Sequence, residues 1–247
     1  ACAKAIAIHN ERHVLRTIKT DCLLLSKILA VLIVPFLLIM DQPDLGSSLV
    51  FLAITVALII VSGISWVIVV SLLAVGTTIG AIVIWMALYM QDFLRDTFGI
   101  ETYKLARIYS WLDPQSYSSN EGYQLLSSMS SIGSGEIFGK GFHNREVYVV
   151  ENHTDFIFTV IGEEWGFVGG SFVILLYFVL IYHLTKMTLL LKDPFCTYVC
   201  TGIIAMIAFH VLENIGMTIQ LLPITGIPLP FISYGGSSLL TNFLAIG

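Results

Sequence analysis

The chain has 247 residues, of which 56% are hydrophobic and only 12% charged, with a formal net charge of −5. Soluble domains carry about 25% charged residues, so this composition excludes an ordinary soluble domain and points to a polytopic membrane protein. It also offers no basic patch of the kind nucleic acid needs. The four cysteines, none in a CxxC pair, lie in or near apolar runs as small buried hydrophobes, which predicts neither a disulfide nor a thiolate metal site.

Taken in order, residues 1–21 are mixed, with 3–8 reading as the tail of a membrane helix and 9–21 as a basic loop. Residues 22–40 are long enough to span a hydrocarbon core of roughly 30 Å, with a kink at Pro35 that membrane helices tolerate. A turn follows at 41–46, where Pro43 disfavours helix for Gln42. The 44 residues from 47 to 90 carry no charge. As one helix they would run roughly 66 Å, so they predict two spans broken at 62–65. Residues 91–154 form the longest polar section, in which 93–109 predicts an amphipathic interfacial helix and 130–141 predicts Gly-rich turns held close to something. Further spans are predicted at 156–182 and 195–217, with a short basic loop at 183–194 between them. The stretch 220–238 holds three prolines and three glycines among apolar residues. That predicts irregular backbone, which a membrane protein keeps only against protein or around a cavity. A further span begins at Leu239. The fold class is therefore an all-α polytopic transmembrane bundle, read as a single transmembrane domain over 1–247 with a large loop at 91–155. The chain starts at Ala1 and ends inside an apolar run, so it reads as a segment of a longer protein.

Basic loops face the cytoplasm. Residues 1–21 and 183–194 are basic, whereas 41–46 and 220–238 carry no Lys or Arg. Counting spans then places 41–46, 91–155 and 220–238 together on the opposite side, which predicts one site at the outer membrane face.

Asp155 lies at the seam where the polar section ends and an apolar run begins. A general base at a water–lipid boundary and the N-cap of the following helix are both open to it, and the two roles are compatible. Asp44 is either a turn former or a second carboxylate facing the same cavity. Glu163 and Glu164 point roughly 100° apart on a helix, so one of them needs a buried partner. Arg107, Lys140 and Arg145 are the cations open to an anionic ligand. His143, Glu151 and His153 lack zinc spacing. The single His210/Glu213 pair does not make a di-iron site.

Three motifs occur in order: Gln42-Pro-Asp-Leu-Gly46, His153-Thr-Asp-Phe-Ile-Phe158 with Gly162-Glu-Glu164 and Gly166, and the Gly226-Ile-Pro-Leu-Pro-Phe-Ile-Ser-Tyr-Gly-Gly-Ser-Ser238 run. Together with Ile132-Gly-Ser-Gly135 and Asn214-Ile-Gly-Met217, they resemble the SEDS family of shape, elongation, division and sporulation proteins, and the run from Met217 is more similar to the RodA branch than to FtsW. The resemblance implies a peptidoglycan glycosyltransferase of the bacterial cytoplasmic membrane. Such an enzyme polymerises lipid II, a disaccharide-pentapeptide on undecaprenyl pyrophosphate, at the outer face beside a class B penicillin-binding protein. It implies Asp155 as the catalytic base. Substrate contacts are expected at Gln42, Asp44, Arg107, Lys140, His153, Thr154, Glu164, Ser233, Ser237 and Ser238. Mg2+ or Mn2+, where the reaction draws on one, would meet Asp44 and Asp155. A lipid II flippase and a non-catalytic scaffold for the penicillin-binding protein are the competing readings. Two departures stand out. The family has about ten spans against five complete ones here, and its Ser-Glu-x-x-Lys pattern would place Lys4 at the Lys but Ala1 at the Glu.

Overall fold

The computed structural model describes residues 1–13, 17–40, 44–90, 102–117 and 121–247. All regular structure among them is helical: α1 (Cys2–Arg12), α2 (Ile18–Met40), α3 (Leu45–Val61), α4 (Trp66–Tyr89), α5 (Thr102–Leu112), α6 (Glu121–Ser134), α7 (Ile157–Leu189), α8 (Pro194–Thr218) and α9 (Gly236–Ile246). Helices α2, α4, α7 and α8 are long and apolar enough to cross a membrane. The chain is thus a polytopic helical membrane protein. Its helices divide between two compact units, one of residues 1–73, 176–210 and 244–247, the other of 74–175 and 211–243.

In the first unit the core is Ile6, Leu24, Ile28, Leu58, Ile59, Ile64 and Val69, closed by Tyr198. The break at 62–65 falls between α3 and α4 as the length of the apolar run requires. Polar side chains pin it. Asn10 donates to the Ser62 carbonyl at 3.0 Å and to the Tyr198 hydroxyl at 2.8 Å. The buried Asp21 carboxylate accepts from the Ser65 N–H at 3.0 Å. Backbone groups freed where a helix ends must find partners when water is excluded, and here two side chains supply them.

Expected boundaries move at both basic loops. Residues 9–12 belong to α1 and 18–21 to α2, and the loop expected at 183–194 is helical up to Leu189. No Gly or Pro interrupts 183–189, so nothing ends α7 there. The helix stops at Leu189, and the next one starts at Asp193-Pro194. The Asp193 carboxylate accepts from the Phe195 N–H at 3.0 Å, and Pro194 occupies the first turn of α8, where its missing N–H costs nothing.

In the second unit the polar section packs inward over its described residues, 102–117 and 121–155, and the interfacial helix expected at 93–109 is described only from Thr102, where α5 begins. It contributes α5 and α6 and part of the core, with Leu125, Val149, Phe156, Met217 and Ile224 packed together. Helix α6 turns a row of serines inward. Ser128 donates to the Thr218 carbonyl at 2.7 Å, and Ser131 to the Glu163 carboxylate at 2.8 Å. Small hydroxyl side chains let backbones approach closely and still satisfy polar groups in an apolar setting. The end of α5 is tied to the chain after α8 by a reciprocal pair, Trp111 Nε1 to the Gln220 carbonyl and Gln220 Nε2 to the Trp111 carbonyl, each 3.0 Å. Residues 220–235 have no regular helix, as their Pro and Gly content predicts.

Candidate functional site

Asp155 sits one turn-like step before α7. Glu151 adopts a left-handed φ of 56°, and its carbonyl accepts the N–H groups of Thr154 and Phe156 at 3.2 and 3.1 Å. This folds 151–156 into a tight turn that delivers Asp155 to the head of the membrane helix. The next three carbonyls are then bonded in succession by the chain around α8 and the irregular segment. His153 O accepts from the Tyr234 N–H at 2.8 Å. Thr154 O accepts from the buried Ser233 hydroxyl at 2.6 Å, and that hydroxyl in turn accepts the Leu229 N–H at 2.7 Å. Asp155 O accepts from Asn214 Nδ2 at 2.7 Å, whose other hydrogen goes to the Ile227 carbonyl at 2.8 Å. Asp155 Oδ2 lies against Gly226, where even a methyl group would come within 3.2 Å.

The Asp155 carboxyl is pushed up to about 6. Burial is the main cause and the Glu151 carboxylate adds to it, against the charges of Arg107 and His153. A carboxyl held there can exchange a proton near neutral pH, which suits a general base.

Two turns further along, α7 is broken at Gly166 (φ 64°, ψ −161°). An unbroken helix would bond the Phe167 and Val168 N–H groups to the Glu163 and Glu164 carbonyls. Here residues 136–141 take both sides of the break. Lys140 N–H donates to Glu163 O at 2.9 Å and Gly141 N–H to Glu164 O at 3.0 Å, while Phe167 N–H reaches Glu136 O at 2.9 Å and Val168 N–H reaches Ile137 O at 3.1 Å. Residues 130–134, expected as turn, continue α6, and the turns at 135–141 are held close to α7 itself. The Glu163 carboxylate, 1% exposed, gathers four donors: Ser131 Oγ at 2.8 Å, Lys140 Nζ at 3.0 Å, and the N–H groups of Glu146 and Val147 at 2.8 and 3.2 Å. Glu164 faces Arg145 Nε at 3.3 Å.

The expected residues thus fall at several places. His153, Thr154, Asp155 and Ser233 converge, with the charge of Arg107 reaching Asp155. The Ser233 hydroxyl is engaged with backbone on both sides. Ser238 caps Gly235 O at 2.9 Å at the start of α9, and Ser237 is exposed beside it. Lys140 and Glu164 belong to the break in α7, where Lys140 also meets Glu146 at 2.7 Å. Asp44, in the other compact unit, caps α3 by accepting from the Ser47 N–H at 3.0 Å and hydroxyl at 2.6 Å. Gln42 lies outside the described residues. Asn214 entered the sequence reading only within the Asn214-Ile-Gly-Met217 stretch that carries the resemblance, and neither it nor Ser131 or Glu146 was expected at the site. A polar side chain inside an apolar run was a further signal at Asn214. Lys140→Gln is expected to lower the melting temperature in detergent, because it strips a buried carboxylate of its counter-charge; a purely substrate-contacting lysine would leave melting unchanged.

The FtsW/RodA/SpoVE family model, described as cell cycle protein, matches residues 2–247. The chain belongs to this family. Among curated relatives of the FtsW/RodA/SpoVE protein, stage V sporulation protein E of Bacillus subtilis is 36% identical over 86% of this chain and 55% of its own length. Peptidoglycan glycosyltransferase MrdB of Escherichia coli is 32% identical over 89% of this chain and 57% of its own. The chain spans about half the length of such relatives. Among solved structures, one titled for structural coordination of polymerization and crosslinking by a peptidoglycan synthase complex superposes on all of this chain and 64% of its own, with a TM-score of 0.66 and 29% identity. A mutant of the rod shape determining protein RodA of Thermus thermophilus gives a TM-score of 0.60 at 25% identity, over 99% of this chain and 58% of its own.

Proposed function

We propose that this FtsW/RodA/SpoVE-family chain carries the catalytic part of a peptidoglycan glycosyltransferase that polymerises lipid II at the outer face of the bacterial cytoplasmic membrane. The observation that carries this reading is the half-buried Asp155 carboxyl, raised to about 6 and fixed by the bonded carbonyls of residues 153–155 at the head of a membrane helix. The names of the curated relatives supply the reaction class. The acceptor sugar hydroxyl attacks the anomeric carbon of the growing chain. Its proton passes to Asp155 as the new C–O bond forms and the bond to pyrophosphate breaks. Arg107 lies near enough to Asp155 to bias its charge, so it is the cation placed to neutralise the leaving pyrophosphate. An apolar groove of about 320 Å³ beside the broken helix, lined by Ile132, Phe158, Phe167, Ile174, Ile215 and Ile219, suits a polyprenyl chain.

Both Asp44 oxygens are engaged by Ser47, and among the described residues no three His, Cys, Asp or Glu side chains stand together, so the described residues do not fit a bound Mg2+ or Mn2+ and no step here draws on one. A class B penicillin-binding protein is the proposed partner for crosslinking the product.

The test is glycan polymer formation from purified lipid II by the full chain, with and without that partner. Lipid II translocation without polymer would replace this reading with transport. A base must be ionised to act, so the rate should rise with pH through about 6 and be lost below it. A pH–rate profile of kcat/KM reads that acid limb directly; a limb near the ordinary carboxyl value of about 4 would remove Asp155 from the role.

A further inference from the structure

We infer that Asn214 is a positioning residue for the Asp155 carboxylate: by donating to the Asp155 and Ile227 carbonyls at once, its amide sets how closely the irregular segment presses on the Asp155 side chain. The inference rests on Asp155 being the base.

The geometry is specific. Asn214 is fully buried in α8, and both hydrogens of its amide are used, at 2.7 and 2.8 Å. Its Oδ1 is buried with no partner among the described residues. An orphaned acceptor costs free energy, so a residue present for packing alone would be apolar here. What the site uses is a short, forked, uncharged donor. The two carbonyls it joins come from the two motifs that meet at the site. One belongs to the residue that bears the carboxylate. The other follows by one position Gly226, where an added methyl would come within 3.2 Å of Asp155 Oδ2. No side chain of Asn214 reaches the carboxylate itself, so its action passes through backbone. Ser233 and Tyr234 bond the two preceding carbonyls but neither joins Asp155 directly.

Removing the amide should let the 226–234 segment relax away from Asp155, which admits water and lessens the burial that raises its carboxyl. The groups whose charge reaches that carboxyl are Glu151, Arg107 and His153. From α8 the titratable neighbour is Glu213, buried beside Thr225. None of these is altered by the change.

The experiment compares wild type, Asn214→Ala, Asn214→Asp and Asp155→Asn in the full chain, with purified lipid II as probe. Asn214→Ala is expected to lower kcat about 10- to 100-fold, the scale of an ångström-level misplacement, with KM for lipid II little changed. Its acid limb should move from about 6 toward the ordinary carboxyl value. Asn214→Asp keeps the shape but loses the forked donor and adds a carboxyl, so its kcat should also fall while the limb moves the other way. It carries the test should the alanine variant not fold. A residue that only stabilised the bundle would lower the yield of folded protein and leave the limb in place, so limbs coincident with wild type in the folded variants overturn the inference. If Asp155→Asn polymerises normally, the reading of Asp155 as base fails first, and this inference falls with it.

Discussion

Asp155→Asn is expected to abolish lipid II polymerisation, lowering kcat by at least the 10²- to 10⁴-fold that general-base catalysis contributes. The fold should be retained. The carbonyls of residues 153–155 are bonded by the Tyr234 N–H, Ser233 Oγ and Asn214 Nδ2 without the Asp155 side chain, and an amide has the shape of a carboxylate, so the turn that delivers the side chain is undisturbed. Stability should even rise slightly at pH 7.5. The folded protein holds the Asp155 proton more tightly than the unfolded chain does, because the carboxyl is raised to about 6 from an ordinary value near 4. The contribution of this group is therefore most favourable below pH 4 and is lost as pH rises through 6. Above that range the folded state carries a half-buried charge that asparagine does not. Labelled glycan resolved on gels, together with melting curves in detergent at pH 5 and 7.5, would check both parts. Polymer formed at the wild-type rate would sink the catalytic assignment. A melting temperature well below wild type would mean that the carboxylate also anchors the fold.

Much of the architecture was legible because it follows from run length. Apolar stretches near twenty residues have one solution in a bilayer, and a stretch of twice that length has to break. The helices at 18–40, 66–89 and 194–218 and the break at 62–65 follow from that alone. The irregular segment at 220–235 was equally legible, since its prolines forbid a helix. The part played by residues 91–155 was not. Their glycines read as turns held close to something, and the turn at 135–141 does lie in the broken helix, but nothing local said that residues 130–134 are helical or that Ser128 and Ser131 are buried. Small polar residues give the same local signal in a loop and in a tight interface. The same ambiguity held for Glu163 and Lys140. Periodicity could say that one acidic side chain needed a buried partner, but the partner is 23 residues away in sequence, and no local rule names it. Asn214 illustrates the limit from the other side, since an amide in an apolar run signals importance without saying which carbonyls it serves.

Gly166→Ala is expected to destabilise the protein strongly, by roughly 3–6 kcal/mol. Its backbone lies in a region of φ and ψ open essentially to glycine, which alone costs about 1–3 kcal/mol for another residue. An added methyl would also run into the Gly139 N–H and come within 2.6 Å of the Ile137 carbonyl oxygen, both rigid backbone. Relief requires either expelling residues 136–141 from the break or straightening α7. Either route loses the four exchanged backbone bonds, each worth about 0.5–1.5 kcal/mol and more where water cannot replace them. It also pulls Lys140 and the Glu146 and Val147 N–H groups away from Glu163, leaving a buried carboxylate short of donors. The reciprocal change, Gly139→Ala, drives its methyl into the Glu164 carbonyl at a φ of 79° and should cost a similar amount. Because both act on one interlock, the double variant should be much less destabilised than the sum of the two. Unfolding in detergent gives these energies, and hydrogen exchange at the Lys140 and Gly141 amides reports the release of the insert. If Gly166→Ala melts like wild type with those amides still protected, the insert does not depend on the glycine interlock, and the break in α7 must be held by the Glu163 carboxylate alone.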